Sequence, residues 1–397
     1  MNWKNKKVFI TGISGFVGSY LTKELLERGA NVSGFDRKIK KNPIIDLKTD
    51  NLNIFEGNLL DKKSVDNVLN DDFDFVFHLA AQPFIPRSFE NPKETHEVNG
   101  VGTLNLLESI VSKDLDSKIV FSSSSDEYGL VFSSKQQYLD SKEKYGNIFP
   151  EPVSFPELPI SENNPLRPMS PYAVSKVYGD FLMRNYYHAY GLNTVVSRSF
   201  SHEGPGRGEM FVTSVITSQI NQYNRDLIDN IIIGNVNVFR DWSHVEDIVN
   251  GYLLLADKGL SGDVYNQGSM RTNSILTYIL LSLESSGYEI DKIETINNDK
   301  IVKNPTETDD SKLFGLNFYK TKLDKLMIDG DINFTLDDKG VIVFTNSEKI
   351  RIIFDESRFR PADVPILLAD NKKIRNLGFK TKYNIKNIIN DQLNYFN

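Results

Sequence analysis

The strand, glycine turn and helix near the N-terminus constrain the fold more than any other stretch of this sequence. Lys7–Thr11 has the short apolar run of a buried strand, and residues 19–28 have the apolar spacing of an amphipathic helix. The turn between them carries Gly12, Gly15 and Gly18 in a G-x-x-G-x-x-G pattern. Bare glycine backbone lets a pyrophosphate approach, and the amides at a helix N-terminus bind it. The stretch therefore predicts a parallel α/β fold that binds a dinucleotide.

A second apolar strand ends in Asp36, about twenty residues beyond the start of the glycine turn. An acid at this place accepts both hydroxyls of the adenosine ribose and repels a 2′-phosphate. The sequence therefore favours NAD over NADP, although Arg37 and Lys38 follow directly and either side chain would suit a phosphate. Asn58 and Leu59, at the end of a third strand, are expected to border the adenine.

Two further predicted strands end in residues that suit a ligand. One closes with the sequence Leu79, Ala80, Ala81, Gln82, whose small side chains leave room for a cofactor. The other runs into four serines and two acids at 122–127. Ligands bind at the carboxyl ends of strands in an open parallel sheet, so a solvated loop is the weaker reading of this polar stretch. We expect His78 to be a packed strand histidine rather than a base.

Tyr172 and Lys176 lie one helical turn apart, directly after Pro171, which suits the first turn of a helix. An ammonium beside a phenol favours the phenolate and lowers the tyrosine pKa toward neutrality. Such a tyrosine can exchange a proton with a sugar hydroxyl. The spacing also occurs by chance on solvated helices, so its meaning depends on the glycine turn and the polar strand end upstream.

Composition excludes several classes of function. The net charge of −7 argues against a nucleic-acid or anionic-membrane surface. The absence of cysteine excludes disulfides and thiolate metal sites, and the five histidines show no ligand spacing, so no metal is expected. No apolar run approaches the length of a membrane span, and the N-terminus enters a strand without an apolar leader. A cytoplasmic location is the resulting expectation.

The length of 397 residues suggests two lobes. We expect an NAD-binding domain at 1–200, with the Tyr/Lys helix included. A mainly substrate-binding lobe at 201–397 would send return segments to the Rossmann core. The proline-rich stretch 130–160 is expected to be a surface loop that folds over the site. An insertion at about 286–358 is expected to carry a three-strand β-meander at 332–336, 341–345 and 349–354, as a lid or an oligomer contact.

These motifs together resemble the extended short-chain dehydrogenase/reductase superfamily, and specifically its nucleotide-sugar epimerases and dehydratases. The likeness rests on the glycine turn, the stretch 78–82, Ser124 placed four residues before Tyr128, and the Tyr172/Lys176 pair. It covers the chain except for roughly 130–160 and 286–358.

Within the superfamily the chain looks most like the GDP-sugar branch. The segments 207–213, 239–242 and 360–364 resemble those of GDP-mannose 4,6-dehydratases, whereas 160–176 and 364–379 look closer to the sister GDP-4-keto-6-deoxymannose reductases.

The chain departs from the dehydratase pattern in three places. Phe16-Val17 replace the Gln-Asp pair usual in the glycine turn, and Ser201 stands where asparagine is usual. The dehydratase Thr-x-Glu is here Ser124-Ser125-Asp126, followed by Glu127. Asp126 holds the position of the base but is one methylene shorter. Glu127 has the reach but, in an extended loop, would face the other way.

The resemblance implies a specific chemistry. Tyr172, helped by Lys176 and Ser124, deprotonates the sugar C4 hydroxyl while hydride passes to NAD. The 4-ketone acidifies C5–H, a carboxylate removes that proton, water leaves from C6, and hydride returns at C6. The alternatives within the family are a 4-keto reductase, which consumes reduced cofactor, and an epimerase, which needs no elimination. An idle NAD-binding protein is disfavoured because Tyr172 and Lys176 are both present.

Residue patterns and resemblance together predict three sets of site residues and an oligomer. The catalytic set is Ser124, Asp126, Glu127, Tyr172 and Lys176. The cofactor set is Gly12, Gly15, Phe16, Val17, Gly18, Asp36, Arg37, Asn58, Leu59, Leu79, Ala80, Ala81, Gln82, Asn99, Tyr172 and Lys176. The substrate set is Ser88, Ser201, His202, Arg207, Glu209, Val212, Arg240, Arg360 and Asp363. By analogy with the family, a homodimer or homotetramer is expected to form partly through the Tyr/Lys helix.

Overall fold

The computed structural model describes residues 1–39, 44–45, 49–69 and 72–395, which form two large β-sheets and two short two-stranded sheets, flanked by helices. The strands, in chain order, are β1 (Lys7–Thr11), β2 (Asn31–Asp36), β3 (Leu52–Glu56), β4 (Phe75–His78), β5 (Lys118–Ser124), β6 (Thr194–Ser199), β7 (His202–Glu203), β8 (Asn230–Ile233), β9 (Phe239–Arg240), β10 (Ser243–His244), β11 (Asp263–Gln267), β12 (Asn273–Ser274), β13 (Ile290–Thr295), β14 (Ile301–Lys303), β15 (Gly340–Thr345) and β16 (Lys349–Phe354).

The helices connect the strands and cover the two large sheets. In chain order they are α1 (Phe16–Glu27), α2 (Lys62–Val68), α3 (Ile85–Glu90), α4 (Pro92–His96), α5 (Gly102–Ser112), α6 (Lys135–Tyr145), α7 (Pro171–Tyr190), α8 (Val212–Tyr223), α9 (Val245–Lys258), α10 (Ile275–Ser285), α11 (Lys322–Asp329), α12 (Lys372–Asn376) and α13 (Ile385–Tyr395). A π-helical turn, Glu97–Val101, joins α4 to α5.

The first sheet has, within the described residues, seven parallel strands in the order β3-β2-β1-β4-β5-β6-β11. Successive side chains of a strand point to opposite faces, and both faces here are covered by helices. Val8 and Ile10 of β1 pack in the same cluster as residues of α1 and α9, whereas Phe9 packs in a cluster with residues of α5 and α7. The predicted Rossmann-type doubly wound sheet is therefore confirmed.

The second sheet lies in the C-terminal half and has the order β14-β13-β15-β16-β8. Its core includes apolar residues of α8, α10 and α13. The expected strand at 332–336 is wrong, because β13 is the strand that pairs with β15. Since β8 pairs in parallel with β16, the segment 286–358 is built into the sheet of this half and is no detached meander.

The stretch 130–160 is more ordered than expected from its prolines. Helix α6 begins after Ser134, whose hydroxyl accepts from the amide of Gln137, and ends at Gly146. Leu130, Phe132 and Ile148 form a small buried cluster beside it. The expectation of an irregular surface loop is corrected here.

No helix among the described residues is long and apolar enough to cross a membrane.

Candidate active site

A cavity of about 630 Å³ opens at the carboxyl ends of the parallel strands and extends toward the C-terminal half. Most predicted site residues line it. They are Gly12, Gly15, Phe16, Val17, Gly18, Asp36, Arg37, Asn58, Leu59, Leu79, Ala80, Ala81, Gln82, Ser124, Asp126, Tyr172, Lys176, Ser201, His202, Arg207, Val212, Arg240 and Arg360. One cavity therefore collects both the cofactor-type residues and most of the substrate-type residues.

The glycine turn is closely packed beneath this cavity. Gly12 has a φ of +75°, and a Cβ on it would lie 2.8 Å from the Ala80 amide nitrogen. A Cβ on Gly18 would lie 2.2 Å from the Gly12 carbonyl oxygen. Helix α1 begins after Gly15 without a side-chain cap, so its first amides are available to an anion in the cavity. The residues present fit a dinucleotide pyrophosphate.

Asp36 ends β2 beside the glycine turn. Its carboxylate accepts hydrogen bonds from the amide of Ser14 at 3.0 Å and from the amide of Arg37 at 2.7 Å. The Arg37 side chain is 70% exposed and its Nη1 lies 3.9 Å from Glu94. The acid is therefore fixed at the place where a ribose is expected, whereas the arginine points toward solvent.

Two predicted contact residues support the cavity from behind instead of lining it. Asn99 accepts from the Gln82 amide at 2.7 Å and donates to Ser175 Oγ at 2.9 Å, so it ties the end of β4 to α7. The Ser88 hydroxyl donates to the Ile85 carbonyl within α3 and is buried. The hydrogen bonds of both side chains are therefore made to other residues of the protein.

His78 is a packed strand histidine, as expected. Its ring nitrogens contact the hydroxyls of Thr11 at 2.7 Å and Thr103 at 2.8 Å. Burial lowers its pKa to about 3, with a smaller contribution from the Lys176 charge.

A single 3₁₀ turn, Ser125–Glu127, carries the acidic pair, and we call it the catalytic turn. Ser124 caps it, accepting from the Asp126 amide at 3.2 Å. Asp126 lines the cavity, but Glu127 does not, because its carboxylate is buried behind the turn and lies 3.2 Å from Arg198 Nε. Only Asp126 of the two predicted acids can meet a substrate in this structure.

Tyr172 and Lys176 stand on the first turns of α7, which begins at Pro171 behind a Ser170 cap. The Lys176 ammonium donates to the Ser122 carbonyl at 2.7 Å and lies 6.0 Å from the centre of the Tyr172 ring. The tyrosine pKa is raised by burial and by the Asp126 charge, and a hydrogen bond with Ser124 lowers it. The expected lowering of the tyrosine pKa by Lys176 is therefore wrong for this structure, in which burial has the largest effect on that pKa.

Burial also changes the lysine. It lowers the pKa of Lys176 to about 8, and the nearby Glu127 carboxylate acts in the opposite direction.

Three arginines from the C-terminal half also line the cavity. The Arg207 guanidinium stacks 3.6 Å from the centre of the Phe211 ring and forms an ion pair with Glu203 at 3.5 Å. Arg240 Nη1 donates to the carbonyls of Phe239 and Val364, and Arg360 lies at the rim. Guanidinium groups suit phosphate oxygens, so this side of the cavity can hold a diphosphate.

Ser201 and His202 line the same cavity. The His202 ring stacks parallel to Phe16 with centroids 6.4 Å apart, and its Nδ1 lies 2.9 Å from the Phe200 carbonyl oxygen. Burial and the Arg207 charge lower the His202 pKa to about 4, so the ring is neutral at pH 7.

Two substrate-type residues fall outside the cavity. Glu209 is exposed and borders a separate shallow depression with Arg358. Asp363 accepts from Asn235 at 3.1 Å and lies 3.9 Å from Arg360, so it orients that arginine at most.

Several residues that line the cavity are absent from the three predicted site sets. Ser122 belongs to the polar strand end at 122–127, and Ser199 lies at the carboxyl end of the neighbouring strand β6. Phe211 and Trp242 fall in the segments 207–213 and 239–242 that carry the family resemblance, whereas Phe84 lies four residues before the predicted Ser88. Among the described residues, no group of His, Cys, Asp or Glu side chains could hold a metal ion.

A Rossmann-type sheet whose carboxyl edge carries a glycine turn and a Ser–Tyr–Lys set defines an extended short-chain dehydrogenase/reductase. The chain belongs to the GDP-mannose 4,6-dehydratase family, because the family described as GDP-mannose 4,6 dehydratase matches residues 9–392.

Individual relatives agree. The GDP-mannose 4,6-dehydratase of Yersinia enterocolitica serotype O:8 is 32% identical over 72% of this chain and 73% of its own length. The GDP-mannose 4,6-dehydratase sdnI of Sordaria araneosa is 31% identical over 72% of this chain, and the match spans 49% of that longer protein. The structure of RMD from Pseudomonas aeruginosa complexed with NADPH is 22% identical, covers 99% of each chain and has a TM-score of 0.67, which shows the shared fold.

Proposed function

We propose that this chain is an NAD-dependent nucleotide-sugar 4,6-dehydratase that acts on a GDP-mannose-like GDP-sugar. The observation that carries the proposal is the position of Asp126, whose carboxylate lines the same cavity as Ser124, Tyr172 and Lys176. Oxidation at C4 needs only the last three residues, whereas elimination also needs a base for C5. Asp126 supplies that additional group.

NAD is the proposed cofactor. The glycine turn and the start of α1 would hold its pyrophosphate, and Asp36 would accept the ribose hydroxyls. The fixed carboxylate of Asp36 opposes a 2′-phosphate, and the exposed Arg37 is turned toward Glu94. When bound, NAD would supply a hydride acceptor for the oxidation at C4 and the hydride for the reduction at C6.

The side chains of the chain move the protons. Tyr172, hydrogen-bonded with Ser124, takes the proton of the C4 hydroxyl. The resulting ketone acidifies C5–H, and Asp126 removes that proton. Of the two protons removed, one leaves with the C6 hydroxyl as water and one returns to C5. The overall change is the loss of one water from the sugar, with no net oxidation.

The three arginines would hold the substrate diphosphate. Arg207, Arg240 and Arg360 come from different segments and line one cavity, so together they can neutralise the two phosphates. The identity of the base is supported by the family relationship alone.

A homo-oligomer is proposed as well. Val174, Tyr178 and Phe181 of α7 are 44%, 46% and 52% exposed and recur at helical spacing, which places them on one face. The 44% exposed Val101 lies on the neighbouring helical segment, where Gly100 contacts Tyr178. A second copy of this apolar face is the partner we propose. Phe181→Asp should then shift the protein to monomer in analytical ultracentrifugation, and an unchanged mass would reject this surface.

A cytoplasmic location remains a prediction that cell fractionation can test.

The function is tested by incubating the purified protein with GDP-mannose without added reduced cofactor and following product mass. Loss of one water supports dehydratase chemistry. Intact substrate rejects it for this sugar. Epimerised sugar without loss of water would instead support an epimerase, and turnover of a GDP-4-keto-6-deoxy sugar only with added NADH would support a reductase.

A further inference from the structure

We propose that Glu127 is a positioning residue, which fixes the catalytic turn to the strand and helix behind it. The proposal rests on the proposed function, since it concerns how the groups of that cavity are held. It assigns a role to an acid that the mechanism does not use.

On the side of the catalytic turn, Glu127 acts as a clamp. Its Oε1 contacts the Ser123 hydroxyl and accepts from the Ser124 amide at 3.3 Å. Ser124 in turn accepts from the Asp126 amide with its hydroxyl, which closes a reciprocal capping box. The conformation that aims Ser124 and Asp126 into the cavity therefore depends on this carboxylate.

On the far side, Glu127 is tied to the two elements that carry the rest of the site. Its Oε2 lies 3.2 Å from Arg198 Nε on β6, and the same nitrogen lies 2.9 Å from Asp180 on α7. Asp180 is also bonded by Arg184 at 2.6 Å. One guanidinium thus joins the turn of Asp126 to the helix of Tyr172 and Lys176.

Stability alone does not explain why a buried acid stands at position 127. Glu127 and Asp180 are fully buried and Arg198 is nearly so. The desolvation of a buried ion pair usually offsets its attraction, and apolar replacements are often neutral or stabilising. An apolar side chain at position 127 could not accept hydrogen bonds from the Ser123 hydroxyl and the Ser124 amide.

The test compares Glu127→Leu with Glu157→Leu. Glu157 forms a similarly buried pair with Arg167, at 2.8 Å, and does not contact the catalytic turn. For Glu127→Leu we expect kcat for GDP-mannose to fall about tenfold to a hundredfold while the KM stays near wild type, because the turn loses its clamp and the binding residues are untouched. Glu157→Leu should leave kcat near wild type.

Wild-type kcat in a folded Glu127→Leu protein would overturn the proposal. If that variant does not fold, Ser123→Ala removes one clamp contact while the buried charges stay. It should lower kcat, and wild-type kcat there would contradict the clamp.

Failure of the proposed function is distinguishable from failure of this inference. If the wild-type protein does not convert GDP-mannose, the clamp can be followed without turnover by hydrogen exchange of the Ser124 and Asp126 amides, which are bonded to Glu127 and to Ser124. Faster exchange of these amides in Glu127→Leu than in Glu157→Leu supports the clamp, and identical exchange overturns it.

Discussion

The two faces of the catalytic turn carry consecutive acids in opposite environments. Asp126 faces the cavity, where its charge raises the pKa of Tyr172 and reaches Arg240. Glu127 faces the interior, where burial and the charge of Asp180 raise its pKa and Arg198 opposes them. A 3₁₀ turn separates neighbouring side chains in this way, so one position gains access to substrate and the other gains fixed partners. The difference shows that the length of an acidic side chain does not decide which of two neighbouring acids can meet a substrate. The face of the turn on which the acid lies decides it.

The largest effect on turnover is expected from a substitution of Tyr172, the proposed proton acceptor. Tyr172→Phe removes the proton acceptor for the C4 hydroxyl and should lower turnover by about 10³–10⁴-fold. NAD binding should be unchanged, because the glycine turn and Asp36 are untouched. Stopped-flow absorbance should show no reduced nicotinamide after GDP-mannose is added. Turnover near wild type would remove Tyr172 from the mechanism.

The cavity face alone is tested by Asp126→Asn, which keeps the shape of the side chain and removes the base. We expect dehydration to fall by about 10²–10³-fold. Oxidation at C4 does not need this carboxylate, so reduced nicotinamide should form and persist in the same stopped-flow experiment. Rapid dehydration by this variant would show that another group removes the C5 proton.

The charge of the Lys176 ammonium predicts that turnover depends on pH. Burial lowers the pKa of Lys176 to about 8, so the ammonium is present below that pH and is lost as the pH rises through it. Turnover limited by the oxidation step should therefore decline above about pH 8. A pH profile of kcat that stays flat to pH 10 would contradict a required ammonium.

The smallest effect is expected away from the catalytic turn, at Asp36. Asp36→Asn should weaken NAD binding by about tenfold, since hydrogen bonds to a charged group contribute about 1.5–3 kcal/mol. NADP binding should be unchanged or improved, because the repelling carboxylate is gone. Arg37→Ala is the matched control and should leave NAD affinity within about twofold. Isothermal titration calorimetry with both nucleotides measures these changes, and equal losses for both would argue against discrimination by Asp36.

The cofactor side could be predicted from sequence because its signals are local. The glycine turn, Asp36 and the Tyr172/Lys176 helix each depend on residues within a few positions of one another. The helix at 135–145 is not predicted from the sequence, although Ser134 and Gly146 mark its two ends, because the prolines that follow favour an irregular loop.

The parts that could not be predicted depend on distant partners. Residues 332–336 have a strand-like composition, but β15 pairs with β13, which lies some fifty residues earlier in the chain. Glu127 looked like a candidate base because its partners, Asp180 and Arg198, lie far along the sequence. Asn99 looked like a cofactor contact for the same reason, since Ser175 holds it.

The division of roles between the two acids is tested most directly by solvent exchange at C5. Wild type, Asp126→Asn and Glu127→Gln would each be incubated with GDP-mannose in deuterated water, and deuterium at C5 of recovered sugar would be measured by NMR. The account predicts incorporation by wild type and by Glu127→Gln, whose amide oxygen can still accept from Ser123 and Ser124, and none above background by Asp126→Asn. Incorporation that survives in Asp126→Asn and disappears in Glu127→Gln would contradict it.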